Sequence, residues 1–452
     1  MSTKSIRRQI VALAVPASVE SVLQIGFGFA DQIVIGLLGE TSLAAVGLIG
    51  HMSFLSGIVL GALAAVAAIL VAQYYGSQDR DGVSRSVGAV MQMAMIVTVP
   101  LALIVLLFAG RILELMGVEP AVVEAGAPFL RVISLTIPIA LAGSIAASAL
   151  RSLGDARTPM LVTFACVVLN TGLNFLLVFG WGPVPELGAI GAAWATLATQ
   201  LLRLALMAWA MLRLQTHVSF KAAHFLRPSR PLLAKSFSLT WPIALTETFW
   251  SLGSFLYTLM VVELGTSMIA ANQVVVTTEA IFIMASSGLS VAALTVIGQA
   301  LGAKDEEKIR VAAKSVLQIG IASSLLFGLA TAAASLLLGI FFKELDAGVL
   351  RIAMYGLLLN AAFQWCKVLN MVMGNGVLRA GGDTRFVLFA DIISIYAIGI
   401  PLAFLTMRYT SWGLMGVLGA KLFEEGSRVF IFLLRYRSGK WRNTVAGPVA
   451  AH

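Results

Sequence analysis

The chain has 452 residues, 59% of them hydrophobic and only 12% charged, with a formal net charge of +9 and a mean hydropathy of +0.93. A soluble domain carries about 25% charged residues, so this composition excludes a soluble enzyme or binding module and indicates a chain that crosses a membrane repeatedly. The basic excess lies at the ends of apolar runs, where it orients membrane segments rather than binding nucleic acid.

Met1–Gln9 is a short basic lead with Lys4, Arg7 and Arg8. The first apolar stretch after it is too long and too polar for a secretory signal, and it lacks a small-residue cleavage site. Six apolar segments follow, at about 10–38, 42–74, 86–109, 122–150, 157–180 and 187–213. A polar connector, 214–234, holds His217, Lys221, His224, Arg227 and Arg230 with Pro228 and Pro231. Six more segments follow at about 235–264, 267–301, 312–342, 349–378, 385–408 and 412–436, and then a polar tail, 437–452. Each has the roughly 20 apolar residues a bilayer crossing needs. The fold expected is all-α: twelve transmembrane helices in an N-lobe (1–213) and a C-lobe (235–436) joined by a cytoplasmic connector.

Arg80, Arg85, Arg151, Arg157, the connector, Lys304, Lys308, Arg310, Arg379, Arg385 and Arg435 all fall on the side of the termini. The other side has little more than Arg111, Lys343, Arg351 and Arg408. The positive-inside bias therefore puts both termini in the cytoplasm.

One frame is used twice. Pro16, Gly39, Gln73, Gly76 and Asp79 return at a constant shift of 226 as Pro242, Gly265, Gln299, Gly302 and Asp305. Leu-Arg-x-x-Gly-Asp at 150–155 returns at 378–383, and Gly188, Gly191 and Arg203 return as Gly413, Gly416 and Arg428. Each half has an even number of crossings, so the copies share an orientation, with a substrate site expected near the midplane. Asp31 breaks the match, because its counterpart is Tyr257.

A charge at bilayer depth costs about 2.5–3.5 kcal/mol on insertion scales, so an acid kept there points to ion or substrate handling. Asp31 is the candidate for coupling to a proton or a sodium ion. Asn170 and Asn174 stand one turn apart on segment 5 and share a face. With Thr196 on segment 6 they offer the oxygen ligands a hard cation prefers, although polar side chains on membrane helices also serve as interhelical links. In the second half, Glu247, Glu279, Asp391 and Lys367 are buried by position. They form structural ion pairs or a cavity with spare negative charge that attracts cationic solutes. Lys421, Glu424, Glu425 and Arg428 are spaced to neutralise one another along segment 12. His51 is a packing residue or a proton relay. Cys166 and Cys366 both lie in apolar runs, which argues against a disulfide framework or a zinc site.

No G-x-x-x-x-G-K-[ST] run is present, so a P-loop is not the source of energy. No prenyl-transferase D-D-x-x-D motif occurs, and the loop after segment 2 lacks the paired basic end of the major facilitator motif. Three stretches resemble the multidrug and toxic compound extrusion (MATE) family instead. They are Gly298-Gln-Ala-Leu-Gly-Ala-Lys-Asp305 with its weaker twin Ala72–Asp79, the Leu-Arg-x-x-Gly-Asp pair, and Asn170-x-x-x-Asn174 with Gly188 and Gly191.

That resemblance implies two six-helix lobes forming a V and efflux of cationic or amphipathic small molecules driven by Na+ or H+, with no cofactor, no enzymatic activity and no nucleic-acid partner. It implies a monomer in the cytoplasmic (inner) membrane. It places Asp31 at the family's segment 1 acid, able to hold Na+, with Asn170, Asn174 and Thr196 as partners. Some members have aspartate where this chain has Asn174. Glu247 is close to the segment 7 acid of other branches, offset by one residue. A lipid-linked precursor flippase of the same superfamily is the alternative; it would show a cationic cavity for pyrophosphate.

Overall fold

The computed structural model describes residues 3–213, 224, 229–343 and 345–445, without the side chains of 25, 27, 29–30, 40–45, 51–56, 58–60 and 341. Most of the connector (His217, Lys221 and Arg227 among it), the His51 side chain and the end of the tail therefore lie outside the described residues. What is described is helical, with no strand among those residues. We number the helices α1 (Thr3–Gly36), α2 (Glu40–Gly76), α3 (Arg80–Leu115), α4 (Pro120–Ser152), α5 (Arg157–Phe179) and α6 (Ala189–Arg213) in the first half. The second half has α7 (Arg230–Glu263), α8 (Thr266–Gly302), α9 (Glu306–Leu336), α10 (Ala347–Leu378), α11 (Thr384–Tyr409) and α12 (Leu414–Ser438). A four-residue turn of helix, Leu338–Phe341, follows α9.

Among the described residues seven of these helices carry an apolar window long enough to cross a bilayer, and α10 makes an eighth when its two parts count as one span. The rest have the length; α1, α7 and α12 interrupt their apolar runs with acids and bases. Large apolar side chains point outward along the spans, Leu107 and Leu329 among them at 70% and 72% exposure. In water such a surface would aggregate; in a bilayer it is the lipid face. Inside, small residues let backbones approach. A Cβ on Gly191 would meet the Leu177 carbonyl oxygen at 2.4 Å, and one on its repeat mate Gly416 would meet Thr406 Cβ at 3.1 Å. Lipid offers no hydrophobic drive between helices, so this close packing is what holds them together.

The repeat is written in the backbone as well as the letters. Gly39 and Gly265 have φ of +102° and +97°, each turning one long helix into the next. Gln78 and Lys304 are left-handed at +60° and +54°, and Gly154 with Gly382, and Gly188 with Gly413, form further matched pairs. After each Gln78-type turn an aspartate caps the following helix: Asp79 Oδ1 accepts from the Gly82 amide at 2.7 Å, and Asp305 Oδ1 from the Lys308 amide at 2.9 Å. Such caps satisfy amides a helix start leaves open.

The chain resolves into two compact units, one Val19–Thr240 and the other Met1–Ser18 with Trp241–Gly447. The division falls inside α1 and α7, close to Pro16 and Pro242, rather than in the connector. The halves also differ in regularity. α10 bends by 53° at Phe363 and then runs as a π-helix over Met371–Leu378, and α11 contains a second π stretch, Ile393–Gly399.

Candidate functional site

In the first half the C-terminal part of α1 carries Asp31, half-buried, and α5 carries Asn170 and Asn174, both fully buried. The Asn174 amide donates to Asp31 Oδ1 at 2.5 Å and to Asn170 Oδ1 at 3.1 Å. Asn170 in turn donates to the Thr199 hydroxyl at 3.4 Å. These side chains form one chain of neutral dipoles ending on a carboxylate. No ion pair to Asp31 occurs among the described residues, and Asn174 Oδ1 is buried with no hydrogen-bond partner there. A buried oxygen left open beside a carboxylate has the donor chemistry a sodium ion requires.

The threonine that closes this chain is Thr199 rather than Thr196. Asn170 sits about as deep before the end of α5 as Thr199 sits after the start of the antiparallel α6, whereas Thr196 is nearly a turn closer to that end. Thr196 enters through its main-chain carbonyl, which accepts from the Thr199 hydroxyl at 3.0 Å.

The other acid of α1, Glu20, is 2% exposed. Arg151 donates to it at 2.7 Å, Arg203 lies 3.7 Å away, and the Thr163 hydroxyl is at 3.3 Å. The repeated arginines of the Leu-Arg-x-x-Gly-Asp motif and of segment 6 are the sequence signal for this cluster. Glu20 is neutralised by fixed cations. Asp31 is not.

In the second unit a cavity of about 410 Å³ is lined by all four expected residues, Glu247, Glu279, Lys367 and Asp391. Lys367 donates to Glu279 at 2.5 Å and also to Asn360, and both charged partners are largely buried. Arg379 donates to Glu247 at 3.0 Å. Arg428 reaches Asp391 at 3.1 Å and also pairs with Glu424 and Glu425 along α12. The expectation of spare negative charge on this lining needs correcting. Four acids face the cavity (Glu425 the fourth), and Lys367, Arg379, Lys421 and Arg428 match them in number. Their partners come from α7, α8, α10, α11 and α12, so the balance appears only once those helices are brought together.

The repeat explains how the two sites are related. Arg151 and Arg203 correspond to Arg379 and Arg428 at the shifts of their motifs. At the shifts of their own segments Asp31 corresponds to Tyr257, and Thr199 to Glu424. Tyr257 donates to Glu424 at 2.8 Å. An acid on the first helix and a hydroxyl on the sixth have thus changed places between halves, and in the second half the acid also has Arg428.

The MatE family model matches the chain twice, over residues 16–176 and 242–405. The probable multidrug resistance protein NorM of Thermotoga maritima is 26% identical over 96% of this chain and 93% of its own. Multidrug resistance protein NorM of Photobacterium profundum is 26% identical over 90% of this chain and 88% of its own. Among solved structures, a MATE protein in the bent conformation superimposes with a TM-score of 0.87 at 21% identity, covering 97% of this chain and 98% of that one. The two matched stretches begin at Pro16 and Pro242, the same pair that opens the internal repeat, and the chain belongs to the MatE family of multidrug and toxic compound extrusion proteins.

Proposed function

We propose that the chain is a secondary active efflux antiporter of the cytoplasmic membrane, with both termini in the cytoplasm, exporting cationic or amphipathic small molecules in exchange for Na+ or H+. The observation that carries this reading is Asp31, an intramembrane carboxylate bonded to a neutral amide and lacking a cation partner among the described residues. Leaving such a charge buried is expensive. Binding a proton or a sodium ion removes the charge, and releasing it restores the cost, so occupancy of Asp31 biases a two-state protein between its conformations. Asn174 Oδ1 and Asn170 Oδ1 supply neutral oxygens for the metal form, and Thr199 holds Asn170 in place. The relatives named for multidrug resistance support the efflux direction and the small-molecule class.

The test is transport of a fluorescent cation by purified protein in liposomes, with sodium and proton gradients imposed separately. Uphill movement should follow at least one gradient in wild type and neither in Asp31→Asn. Undiminished coupled transport by a well-folded Asp31→Asn protein would overturn the proposal.

A further inference from the structure

The geometry points to Lys421 as a specificity-determining residue of the second-unit cavity, where its ammonium takes the carboxylate of an amphoteric organic solute. This rests on the transporter reading above and names the class of solute for that cavity.

The four lining acids are all engaged. Arg379 holds Glu247, Lys367 holds Glu279, Arg428 holds Asp391, and the Asn370 amide donates to Glu425 at 2.6 Å. Three of the four lining bases are thereby used. Lys421, half-buried on α12, makes no ion pair or hydrogen bond among the described residues. Glu279 and Glu424 are within its electrostatic reach. The first is bonded to Lys367 and the second to Arg428 and Tyr257.

The lining polar atoms left without a partner lean the same way. Gln364 Nε2 and Arg379 Nε are buried donors on the lining without a partner among the described residues, against one such acceptor there, Asn370 Oδ1. A buried donor left open is costly, and a carboxylate oxygen from a solute recovers that cost. At the other sign, Glu247 is the lining acid a solute can still reach. Its side chain is 34% exposed, against 8%, 9% and 11% for Glu279, Asp391 and Glu425. An ammonium at Glu247 and a carboxylate at Lys421 leave the apolar body of the solute to Trp250 and Phe432. The volume suits a drug-sized molecule. The repeat places Thr196 of the first half opposite Lys421, so this cation belongs to the second half alone.

Two environment-sensitive probes separate the claim from its alternatives. Nε-dansyl-lysine carries an ammonium, a carboxylate and an aromatic head; dansylcadaverine is the same molecule without the carboxylate. Binding is read by dansyl fluorescence on the purified full chain in nanodiscs, with no gradient applied. Wild type should bind dansyl-lysine about tenfold more tightly, the factor one charge-assisted hydrogen bond is worth. Lys421→Gln should lose that preference while keeping its dansylcadaverine affinity, and Lys421→Arg should retain it. Because no gradient is applied, these assays report carboxylate recognition alone, and ion coupling is read separately by the liposome assay above. Equal binding of the two probes by wild type, no binding of either, or an intact preference in Lys421→Gln would each overturn the assignment. Lys421→Arg and the dansylcadaverine affinity of Lys421→Gln guard against a variant that merely misfolds.

Discussion

The two halves of this chain handle a buried carboxylate in opposite ways. In the first, Asp31 ends a relay of amides and a hydroxyl, Asn174, Asn170 and Thr199, with no ion pair among the described residues. In the second, the equivalent places hold Tyr257 and Glu424, and Arg428 lies against Glu424, Glu425 and Asp391. A permanently paired acid has little reason to bind an ion that comes and goes, because its neutralising charge is already built in. One that meets only neutral dipoles must find its counter-charge elsewhere. The difference teaches that a single duplicated frame can hold a buried acid with or without a fixed counter-charge, depending on which helix carries the acid and whether an arginine reaches it.

The contrast can be broken most severely at Asp31. Asp31→Asn should abolish gradient-driven uptake into inverted liposomes while leaving expression and the melting profile in detergent near wild type. Next in size is Arg428→Gln, which strands three acids in the second unit. Removing one partner of a buried pair costs roughly 3–5 kcal/mol, so this protein should melt earlier or fail to accumulate, and scanning fluorimetry would register it. Were Arg428→Gln to lose only transport at unchanged stability, the second half would be responsive as well.

Asn174→Asp sharpens the comparison rather than breaking it. Two carboxylates sharing a site are not both ionised cheaply, so transport should persist to higher pH. An unchanged pH profile would mean that position 174 does not share a site with Asp31. Smallest is Tyr257→Phe, which removes one hydrogen bond from an acid that keeps Arg428. The expected loss is about 1 kcal/mol of stability with coupling intact, measured by the same melting and liposome assays.

Much of this contrast is legible without coordinates. The apolar segments, the repeat and the lone position of Asp31 follow from periodicity and counting, and Asn170 with Asn174 from the spacing of a helical turn. What stays hidden depends on relations between helices. Thr199 rather than Thr196 meets Asn170 because depth along antiparallel partners decides the contact, and one turn of error is invisible to spacing. The charge balance of the cavity needs Arg379, Lys421 and Arg428 gathered on one lining with acids that lie on four helices. The bend at Phe363 has no proline to announce it, although Pro16 and Pro242, which do announce themselves, sit inside continuous helices.

The matched left-handed turns bear on how the two copies have diverged. An acid and a hydroxyl have traded helices, and an arginine that serves Glu20 in one copy serves three other acids in the next. Yet Gly39 and Gly265, Gln78 and Lys304, Gly154 and Gly382, and Gly188 and Gly413 keep the same handedness. A side chain can be exchanged one at a time, each step nearly neutral if a partner is at hand. A turn cannot, since leaving the left-handed region swings the helices on both sides of it. Drift is therefore channelled into the chemistry of the spans while the joints stay frozen. Chimaeras cut at these joints, with whole helices swapped between halves, are where new specificities should be sought with the least damage to the fold.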